Sequence, residues 1–573
     1  MSERDTRLAA RDGLSHVRDK GEEPLWRRTI PDAFARTVAQ FAERDAAVFC
    51  EHGERWSWRE LGRRVDTLAA GLLALGLEKG ERIGIWSPNR PEWLLVQFAS
   101  ARAGLILVNI NPAYRVTELE YVLNKVGCRA LLTAEQFKSS DYLAMLRELA
   151  PELETAPPGD LHADRLPALR MIITTGANRH AGMLRFEDVM ARGESGDGAA
   201  LDAVTASLDP DEPINIQFTS GTTGAPKGAT LSHVNILNNA RFTVERMHFT
   251  PNDRLCIPVP LYHCFGMVMG TLGCVTTGAT MVFPSEGFEP GATLAAVAGE
   301  RCTALYGVPT MFAAQLDHAA FSTFDTSSLR TGIMAGSPCP IALMKRVVAQ
   351  MGMAEVTIAY GMTETSPVSF QSHTDDAIDR RVTTVGRVHP HVEVRIIDPL
   401  EGGTVPVGAT GEILTRGYSV MLGYWDDAEN TALAIDAEGF MHTGDLGTID
   451  AEGFCNIVGR VKDMVIRGGE NVYPREVEEY LYRHPAVQTV QVFGVPDERM
   501  GEELAAWIVL REGQTVTEQD IRDFCRGQIA HYKIPRYVAF VDEVPMTVTG
   551  KAQKFRMRAA MIEKLGLKES ATA

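Results

Sequence analysis

Hydrophobic positions near the start of the chain alternate between the spacing of helices and that of strands. Across residues 59–75 apolar side chains recur at every third or fourth position, at Leu61, Val65, Leu68, Leu72 and Leu75, which predicts an amphipathic helix. Residues 82–86 predict a short strand, and residues 91–103 predict a second helix that a proline opens. Strand, helix and strand in succession are typical of a parallel sheet covered by helices, so the predicted fold class is α/β.

The later pattern predicts more strands and then a change of character. Apolar runs predict buried strands at 130–133, 171–174 and 279–283, whereas the proline-rich, acidic segment 151–167 predicts a surface connection. Residues 403–423 are glycine-rich with short β runs. A compact α+β pattern follows, with a helix at 474–482, strands at 489–493 and 504–509, and a helix at 518–528. We therefore place a domain boundary at 459–463, where two domains that meet at a short joint would form a ligand crevice.

Composition narrows the class of protein. The chain has 573 residues, 45% of them hydrophobic, and its mean hydropathy of −0.08 is ordinary for a globular protein. Its 57 Lys and Arg against 74 Asp and Glu give a net charge of −17. Proteins that bind nucleic acids need clustered Lys and Arg to neutralise the phosphates, so this net negative charge predicts no nucleic-acid partner. A few local cations can still bind a small anion.

The cysteines and the apolar runs indicate a cytoplasmic protein. The nine cysteines are scattered without metal-ligand spacing, which favours buried thiols in a reducing compartment. The first residues carry charges of both signs and do not resemble a signal peptide. The most apolar stretch, residues 94–110, is interrupted by Arg102 and is too short for a membrane helix, so we expect no integral membrane segment.

A loop at 217–228 carries the strongest chemical signal. A short β run at 214–218 leads into four hydroxyl side chains, three glycines and Lys227. Glycines let backbone N–H groups turn into one concavity, and hydroxyls and a lysine add donors and charge, as phosphate binding requires. The loop is not the common GxxxxGK[ST] motif, because Pro226 and Gly228 flank Lys227 and make a poor start for a helix. A flexible linker is the alternative.

Residues 219–228, TSGTTGAPKG, resemble the signature loop of the adenylate-forming superfamily, which includes acyl-CoA synthetases, luciferases and peptide-synthetase adenylation domains. Further motifs resemble that family in its own order, at residues 335–338, 360–364, 442–446, 459–463, 468–474 and 545–551. The likeness covers residues 25–560. It implies a fatty acyl-CoA synthetase of the medium-chain kind, with an N-terminal AMP-binding domain of layered sheets and helices at 1–459, a hinge at 460–463 and a small mobile lid domain at 464–573.

The resemblance also implies which residues form the site. The implied catalytic residues are Lys551, Glu364, Thr219, Lys227 and His263, with Glu364 as the Mg²⁺ ligand. The implied nucleotide and coenzyme A residues are Thr219, Ser220, Gly221, Thr222, Thr223, Gly224, Ala225, Pro226, Lys227, Gly336, Ser337, Pro338, Tyr360, Gly361, Met362, Thr363, Asp445, Arg460, Lys462, Gly468, Gly469, Glu470 and Lys551. Tyr360 would stack on adenine, and Asp445 in a turn at 442–446 would bind the ribose hydroxyls.

Each of these residues, taken alone, has a commoner structural explanation. A loop carboxylate such as Glu364 is more often solvated than metal-bound, and a tyrosine such as Tyr360 more often simply packs. An aspartate after Thr443-Gly444 is usually a turn residue, and Arg460 could form a salt bridge at the domain joint. Only the resemblance raises these residues to site candidates.

The implied reaction follows from charge. A carboxylate that attacks the α-phosphate of ATP brings two anions together, and Mg²⁺ on Glu364, the loop donors, Lys227 and Lys551 would stabilise the negative charge that develops. Diphosphate leaves, and an acyl-adenylate remains. In the family the lid then rotates at the hinge, and the loop with Gly468, Gly469 and Glu470 admits the thiol of coenzyme A.

The sequence says less about which carboxylic acid is the substrate. Residues 260–266 resemble the family's aromatic gate, with His263 near the carboxylate or thiol path, and contain no acid that would pair with an amino acid substrate. Residues 306–310 and 332–335 would supply small and apolar walls for a methylene chain. We predict a fatty acid and leave open an aryl acid, a carrier-protein acceptor and a catalytically silent binding protein. The expected partners are small molecules, and a homodimer is left open.

Overall fold

A computed structural model describes residues 8–219, 226–337, 339–399, 401–467, 470–497, 499–546 and 552–567, with the backbone alone for residues 470 and 471. In these ranges the chain forms two large mixed sheets, two smaller sheets and a short two-stranded ribbon, with helices packed on their faces.

The first large sheet has eight strands. In spatial order they are Leu184–Arg185, Met171–Thr174, Ala130–Thr133, Arg82–Trp86, Ile106–Asn109, Pro213–Thr219, Lys227–Ser232 and Gly423–Tyr424. The first six run parallel, and the last two join antiparallel. The parallel strands Arg82–Trp86, Ile106–Asn109, Ala130–Thr133 and Met171–Thr174 are mostly or wholly buried, as expected for a sheet covered on both faces.

The second large sheet has nine strands. In spatial order they are Arg387–Val388, Val368–Gln371, Glu355–Gly361, Thr331–Ala335, Ala304–Gly307, Arg254–Cys256, Thr280–Phe283, Asp45–Phe49 and Glu54–Ser57. Its centre is parallel and its edges are antiparallel. One hydrophobic cluster joins both large sheets, because Ile85 and Leu107 of the first and Leu255 and Met281 of the second belong to the same core as Trp93.

Two smaller sheets lie later in the chain. An antiparallel sheet contains His16–Arg18, Val392–Ile397, Gly411–Gly417, Met441–Ile449 and Cys455–Arg460. A second sheet, the lid sheet, contains Glu470–Val472, Val465–Arg467, Gly501–Leu510 and Val487–Asp497, and Tyr537–Phe540 pairs with Gly501–Leu510 in parallel. The ribbon pairs Gln136–Phe137 with Ser140–Asp141. No hydrophobic cluster of the described residues spans both sides of residues 460–463.

Several helices begin at a side-chain cap or a proline, such as Trp58–Ala74 after Ser57 and Pro91–Arg102. The α-helices are Ile30–Phe41, Trp58–Ala74, Pro91–Arg102, Val116–Lys125, Tyr142–Leu149, Phe186–Glu194, Gly198–Ala206, His233–Glu245, Gly273–Thr277, Pro290–Gly299, Pro309–Leu316, Ile341–Met351, Ile378–Thr383, Ala428–Ala434, Pro474–Leu481, Glu518–Cys525 and Lys554–Leu565. Short 3₁₀ turns lie at Pro151–Glu154, Phe321–Thr323, Thr363–Thr365, Val461–Asp463 and His531–Lys533, and Phe265–Leu272 is a π-helix. Within the described ranges, none of the helices has the length and apolar character needed to cross a membrane.

The α/β fold class predicted from the sequence is confirmed, with two local corrections. Segment 151–167 is not only a surface connection, because its leucines Leu153, Leu161 and Leu166 are at most 1% exposed and belong to the core around Trp86. Residues 442–446 are not a turn but the middle of strand Met441–Ile449, in which Gly444 takes a positive φ of 68°. The thiol prediction holds for seven buried cysteines, while Cys339 is half-buried and Cys50 is exposed.

Candidate active site

Strand ends from both large sheets carry the predicted site residues. Thr219 ends the strand Pro213–Thr219 of the first sheet, Gly336 follows Thr331–Ala335 of the second, and Glu364 follows Glu355–Gly361. Ligands of α/β proteins bind outside the carboxyl ends of parallel strands, where backbone groups and loop side chains are exposed together. The fold therefore gathers these segments at the place where a site is expected.

The carboxylate of Glu364 is buried and held by hydroxyl groups. It lies in the 3₁₀ turn Thr363–Thr365 and is only 4% exposed, so the solvated-loop alternative is wrong for this residue. The hydroxyls of Thr219 and Tyr424 donate to its Oε1 over 3.0 and 2.9 Å, and the N–H of Met421 donates to its carbonyl oxygen over 2.9 Å. The loop end of one sheet is thus joined directly to a carboxylate of the other.

Lys227 lies beside the same group. It pairs with Thr219 across the antiparallel strands, and its Nζ stands 5.3 Å from the centre of the Tyr424 ring. The strand Lys227–Ser232 continues to His233, where a helix begins, so no helix starts at the lysine, as Pro226 and Gly228 predict. The pairing brings together Thr219 and Lys227, which stand on either side of the loop sequence. Burial, followed by the nearby charge of Glu364, raises the pKa of Tyr424, which therefore keeps its proton and donates to the carboxylate.

The surroundings of Glu364 suit a magnesium ion. Mg²⁺ prefers oxygen ligands and is usually bound by one or two carboxylates together with substrate phosphates. Two hydroxyls fix Oε1 of Glu364, while no described residue donates a hydrogen bond to Oε2. One carboxylate oxygen is therefore oriented and the other is available as a hard ligand.

Asp445 joins a second group of predicted residues. It is 9% exposed, and its two oxygens accept from the Tyr360 hydroxyl over 2.8 Å and from Nε of Arg460 over 3.0 Å. Burial, followed by the charge of Asp445, raises the pKa of Tyr360. Burial lowers the pKa of Lys462, and the neighbouring charge of Arg460 lowers it further. Asp445 is thus not a solvated turn residue. It links Tyr360, the residue predicted to stack on adenine, to Arg460 of the predicted hinge.

The turn that carries His263 contacts the turn that carries Glu364. Nδ1 of His263 accepts from the N–H of Phe265 over 3.2 Å and lies 3.6 Å from the Cys264 sulfur. That sulfur lies 3.8 Å from the Thr363 hydroxyl, beside Glu364. His263 itself is half-buried. The structure therefore places the predicted aromatic gate next to the carboxylate centre.

The predicted acyl walls are neighbours in the second sheet. Gly307 pairs with Met334 in the parallel ladder, which brings segments 306–310 and 332–335 together. The buried Tyr306 ring lies 5.5 Å from the Phe265 ring, and its hydroxyl donates to the Met269 carbonyl over 3.4 Å, so the π-helix packs on this wall. The two segments therefore lie side by side, and their role as walls for the acyl chain stays a prediction.

Several predicted residues lie outside the described residues. They are Ser220, Gly221, Thr222, Thr223, Gly224, Ala225, Pro338, Gly468, Gly469 and Lys551, and the side chain of Glu470 is also not described. Tyr424, in contrast, contacts Glu364 and was missed from the sequence. The pairing of Gly423–Tyr424 with Lys227–Ser232 brings it into the site, and no local pattern signals that long-range pairing.

Comparisons with known proteins identify the family of the chain. The family model of the AMP-binding enzyme matches residues 34–425, and that of the AMP-binding enzyme C-terminal domain matches residues 476–551. The chain is 47% identical to the mitochondrial medium-chain acyl-CoA ligase ACSF2 of Danio rerio over 555 residues, which covers 96% of this chain and 91% of that protein. It is 46% identical to the putative acyl-CoA synthetase YngI of Bacillus subtilis, with coverage of 95% and 98%.

A solved structure extends the likeness to three dimensions. The anthranilate CoA ligase AuaEII in complex with anthranoyl-AMP superposes with a TM-score of 0.83 at 27% identity, covering 95% of this chain and 99% of that one. The resemblance inferred from the motifs is confirmed by the two family models together with these relatives. The chain belongs to the AMP-binding enzyme family of adenylate-forming ligases.

Proposed function

We propose that the protein joins a medium-chain fatty acid to coenzyme A in two steps that use one site. As an AMP-forming acid–thiol ligase it consumes ATP and coenzyme A and uses Mg²⁺. The observation that carries the proposal is the junction of the buried Glu364 carboxylate with Thr219 at the phosphate-loop strand, beside Lys227. This is an arrangement for holding a triphosphate at the edge where two sheets meet.

In the first step, these residues position ATP so that the fatty carboxylate can attack its α-phosphorus. A P–O bond forms to the carboxylate oxygen, the bond to the β-phosphate oxygen breaks, and diphosphate leaves with the electron pair. Thr219 and Tyr424 hold the Glu364 carboxylate, and Lys227 supplies a positive charge near the phosphates. Mg²⁺ bound at Glu364 would neutralise phosphate charge during this transfer.

Asp445 would bind the ribose, and its position supports that role. It is already oriented by Tyr360 and Arg460, so its oxygens need no rearrangement before they accept from ribose hydroxyls. The same contact couples the nucleotide to residues 460–463, our proposed hinge between the domains 1–459 and 464–573. Lys462 in this hinge, Gly468, Gly469 and Glu470 on the thiol side, and Lys551 on the adenylation side remain proposals.

In the second step, the thiol of coenzyme A attacks the acyl carbon of the adenylate. A C–S bond forms, the mixed anhydride C–O bond breaks, and AMP leaves while the thiol gives up its proton. His263 lies near the carboxylate centre through Cys264 and Thr363, which supports a role along the acid or thiol path. We propose that rotation of the lid opens this path after adenylation.

The preference for a fatty acid rests on the walls of the site. Residues 260–266 offer no acid for an amino group, and the neighbouring segments 306–310 and 332–335 are small and apolar. A relative that is 47% identical is named a medium-chain acyl-CoA ligase, whereas the structure named for an aromatic acid is 27% identical. This difference favours a medium-length chain over an aryl acid.

A panel of acids tests the proposal. AMP formation is measured with ATP and coenzyme A for straight-chain acids from acetate to palmitate and for benzoate and anthranilate. Burial of each methylene gives about 0.8 kcal/mol, so kcat/KM is expected to rise about fourfold per carbon up to the medium-chain acids and then fall. A higher kcat/KM for an aromatic acid than for every fatty acid would contradict the chain preference.

Two controls separate the remaining alternatives. Diphosphate release that requires both acid and ATP excludes a silent binding protein. Replacement of coenzyme A by a pantetheinylated carrier protein should not sustain turnover if the free coenzyme is the acceptor. For location, we propose the cytoplasm, since the nine cysteines are thiols rather than disulfides and seven of them are buried. The homodimer remains a prediction that sedimentation can test.

A further inference from the structure

Two histidines and an aspartate form a group away from the residues that we propose to bind the nucleotide. His248 follows the helix His233–Glu245, while His373 and Asp375 follow the strand Val368–Gln371. That strand runs antiparallel to Glu355–Gly361, so its end lies at the opposite edge of the sheet from Glu364. One ligand atom from each of the three residues lies within 4.8 Å of the others.

The distances between these atoms match a tetrahedral ion. Nε2 of His248 lies 3.6 Å from Oδ1 of Asp375, and Nδ1 of His373 lies 3.3 Å from Oδ2 of the same carboxylate. Two ligands that each stand about 2.1 Å from a tetrahedral Zn²⁺ are separated by about 3.4 Å. The centres of the two imidazole rings are 5.1 Å apart, and the ring planes make an angle of 71°.

The backbone on both sides of the cluster is already tied together. The buried Arg246, two residues before His248, donates to the carbonyls of Gln371, Arg387 and Val388. Arg330 donates to the His248 carbonyl over 3.1 Å. The two segments that would supply the ligands are therefore held near each other before an ion binds. This lowers the entropic cost of ordering the ligands on binding.

The neighbouring charges do not oppose a cation. Arg330 is paired with Asp253 and Glu355, and Arg387 is paired with Asp376 over 2.9 Å. Arg381 interacts electrostatically with Asp375 and donates hydrogen bonds to backbone carbonyls. The nearby arginines are thus matched by carboxylates or carbonyls, and the side chain of Asp375 is 64% exposed, so an ion can reach it from solvent.

We propose that His248, His373 and Asp375 form a binding site for a divalent transition ion of the Zn²⁺ class, with water in the fourth position. Nitrogen ligands favour such an ion over Mg²⁺, so the site is chemically separate from Glu364. In it, Nδ1 of His373 exchanges the weak 3.2 Å hydrogen bond from the Asp375 N–H for the metal. The ion would link the end of one helix to the end of one strand and stabilise the N-terminal domain.

Titration of chelator-treated full-length protein with Zn²⁺ alone, by calorimetry, tests this proposal. One ion per chain and a higher Tm with Zn²⁺ are expected. His248→Ala removes an exposed ligand and should weaken binding at least about tenfold, since loss of supporting residues alone costs about 10–100-fold. His162→Ala is the matched control, because His162 forms an exposed 3.0 Å pair with Asp160. It should bind as the unaltered protein does.

Cobalt distinguishes this site from a cysteine site. Cys50 is exposed and could bind zinc through its thiolate. Co²⁺ in the proposed site should give tetrahedral d–d bands without thiolate charge-transfer bands, and Asp375→Asn should weaken the d–d bands. Absence of binding to the unaltered protein, equal binding by His248→Ala, or a thiolate spectrum would each overturn the proposal.

Discussion

The hydroxyl of Tyr424 should matter to the reaction because it holds the carboxylate that we propose as the Mg²⁺ ligand. It donates to Oε1 of Glu364 over 2.9 Å, alongside Thr219. A hydrogen bond to a charged group contributes about 1.5–3 kcal/mol, so Tyr424→Phe should weaken Mn²⁺–ATP binding and slow adenylate formation by about 10- to 100-fold. Electron paramagnetic resonance of bound Mn²⁺ measures the first effect, and diphosphate release measures the second.

Tyr418→Phe provides the matched control for Tyr424. The Tyr418 hydroxyl accepts from the side-chain amide of Asn239 over 3.3 Å and does not contact Glu364. Its loss should leave Mn²⁺ affinity unchanged. If both variants bind Mn²⁺ as the unaltered protein does, Tyr424 does not position the carboxylate.

His233 should make stability depend on pH in the acid range. Its Nδ1 accepts from the Ile30 N–H over 3.0 Å, and burial lowers its pKa from 6.5 to about 4. Between these values the unfolded chain binds a proton that the folded chain does not, so stability is present above pH 6.5 and lost as the pH falls towards 4. This difference in pKa corresponds to about 3 kcal/mol of the free energy of unfolding.

His233→Asn tests the titration separately from the hydrogen bond. Asparagine can place an acceptor oxygen near the position of Nδ1 but has no proton to gain. Urea unfolding at several pH values between 4 and 6.5 should therefore show a shallower loss of stability in the variant. An unchanged slope would assign the acid sensitivity to other groups, such as the buried His389, whose pKa burial also lowers.

At the residue scale, sequence reasoning identified the candidate carboxylates and several of the residues that hold them, namely Thr219, Tyr360 and Arg460. Glu364, Asp445 and Lys227 follow from motif and charge chemistry. Tyr424, which also holds Glu364, does not follow from the sequence, because its contact joins residues far apart in the chain. A local motif specifies a carboxylate, while its burial depends on the whole fold.

At the scale of elements, the strands that carry apolar side chains on both faces were the easiest to predict. Arg82–Trp86, Ala130–Thr133 and Met171–Thr174 coincide with the predicted ranges, because a fully buried parallel strand is a short apolar run with clear ends. The sequence does not predict strand Met441–Ile449 at residues 442–446, which contain Asp445. Its polar residues and glycine indicate a turn, but the chain pairs with Gly411–Gly417 on both sides of an irregularity that includes Gly444.

Gly361 should be intolerant of any side chain, because two strands meet closely there. A Cβ at this position would lie 1.8 Å from the Pro367 carbonyl, at the irregular pairing of Glu355–Gly361 with Val368–Gln371. Gly361→Ala should force the strands apart and destabilise the protein by about 1–3 kcal/mol. It should also slow adenylation, since Glu364 lies between these strands.

Gly299→Ala is the control for the glycine prediction. A Cβ at Gly299 meets nothing within 4 Å, at the end of helix Pro290–Gly299. Its Tm should match or exceed that of the unaltered protein, because alanine favours a helix. Equal melting of the two variants would show that the strand contact at Gly361 relaxes without cost.

At the scale of the whole molecule, the described core residues form hydrophobic clusters that lie either before or after the proposed hinge at 460–463. The described core residues after 465 cluster among themselves, around Val465, Leu504 and Ile508. The contact between Arg460 and Asp445 couples the joint to the proposed ribose site. The order of the motifs allowed this division to be predicted from the sequence, whereas the orientation of one unit against the other depends on contacts between side chains that no local pattern specifies.

This division leads to a prediction that separates the two chemical steps. Lys551 lies outside the described residues, but its place in a Thr-Gly-Lys sequence of the proposed lid predicts a cation that acts on the phosphates only during adenylation. Lys551→Ala should therefore slow diphosphate–ATP isotope exchange about 10²–10³-fold, the usual loss when one transition-state donor is removed. Thiolysis of a supplied acyl-adenylate by coenzyme A should continue near the normal rate, because that step would use the opposite face of the lid. Lys564→Ala, which removes an exposed lysine on the same domain, should change neither rate. Equal loss of both half-reactions in Lys551→Ala would mean that the lid does not alternate between two faces.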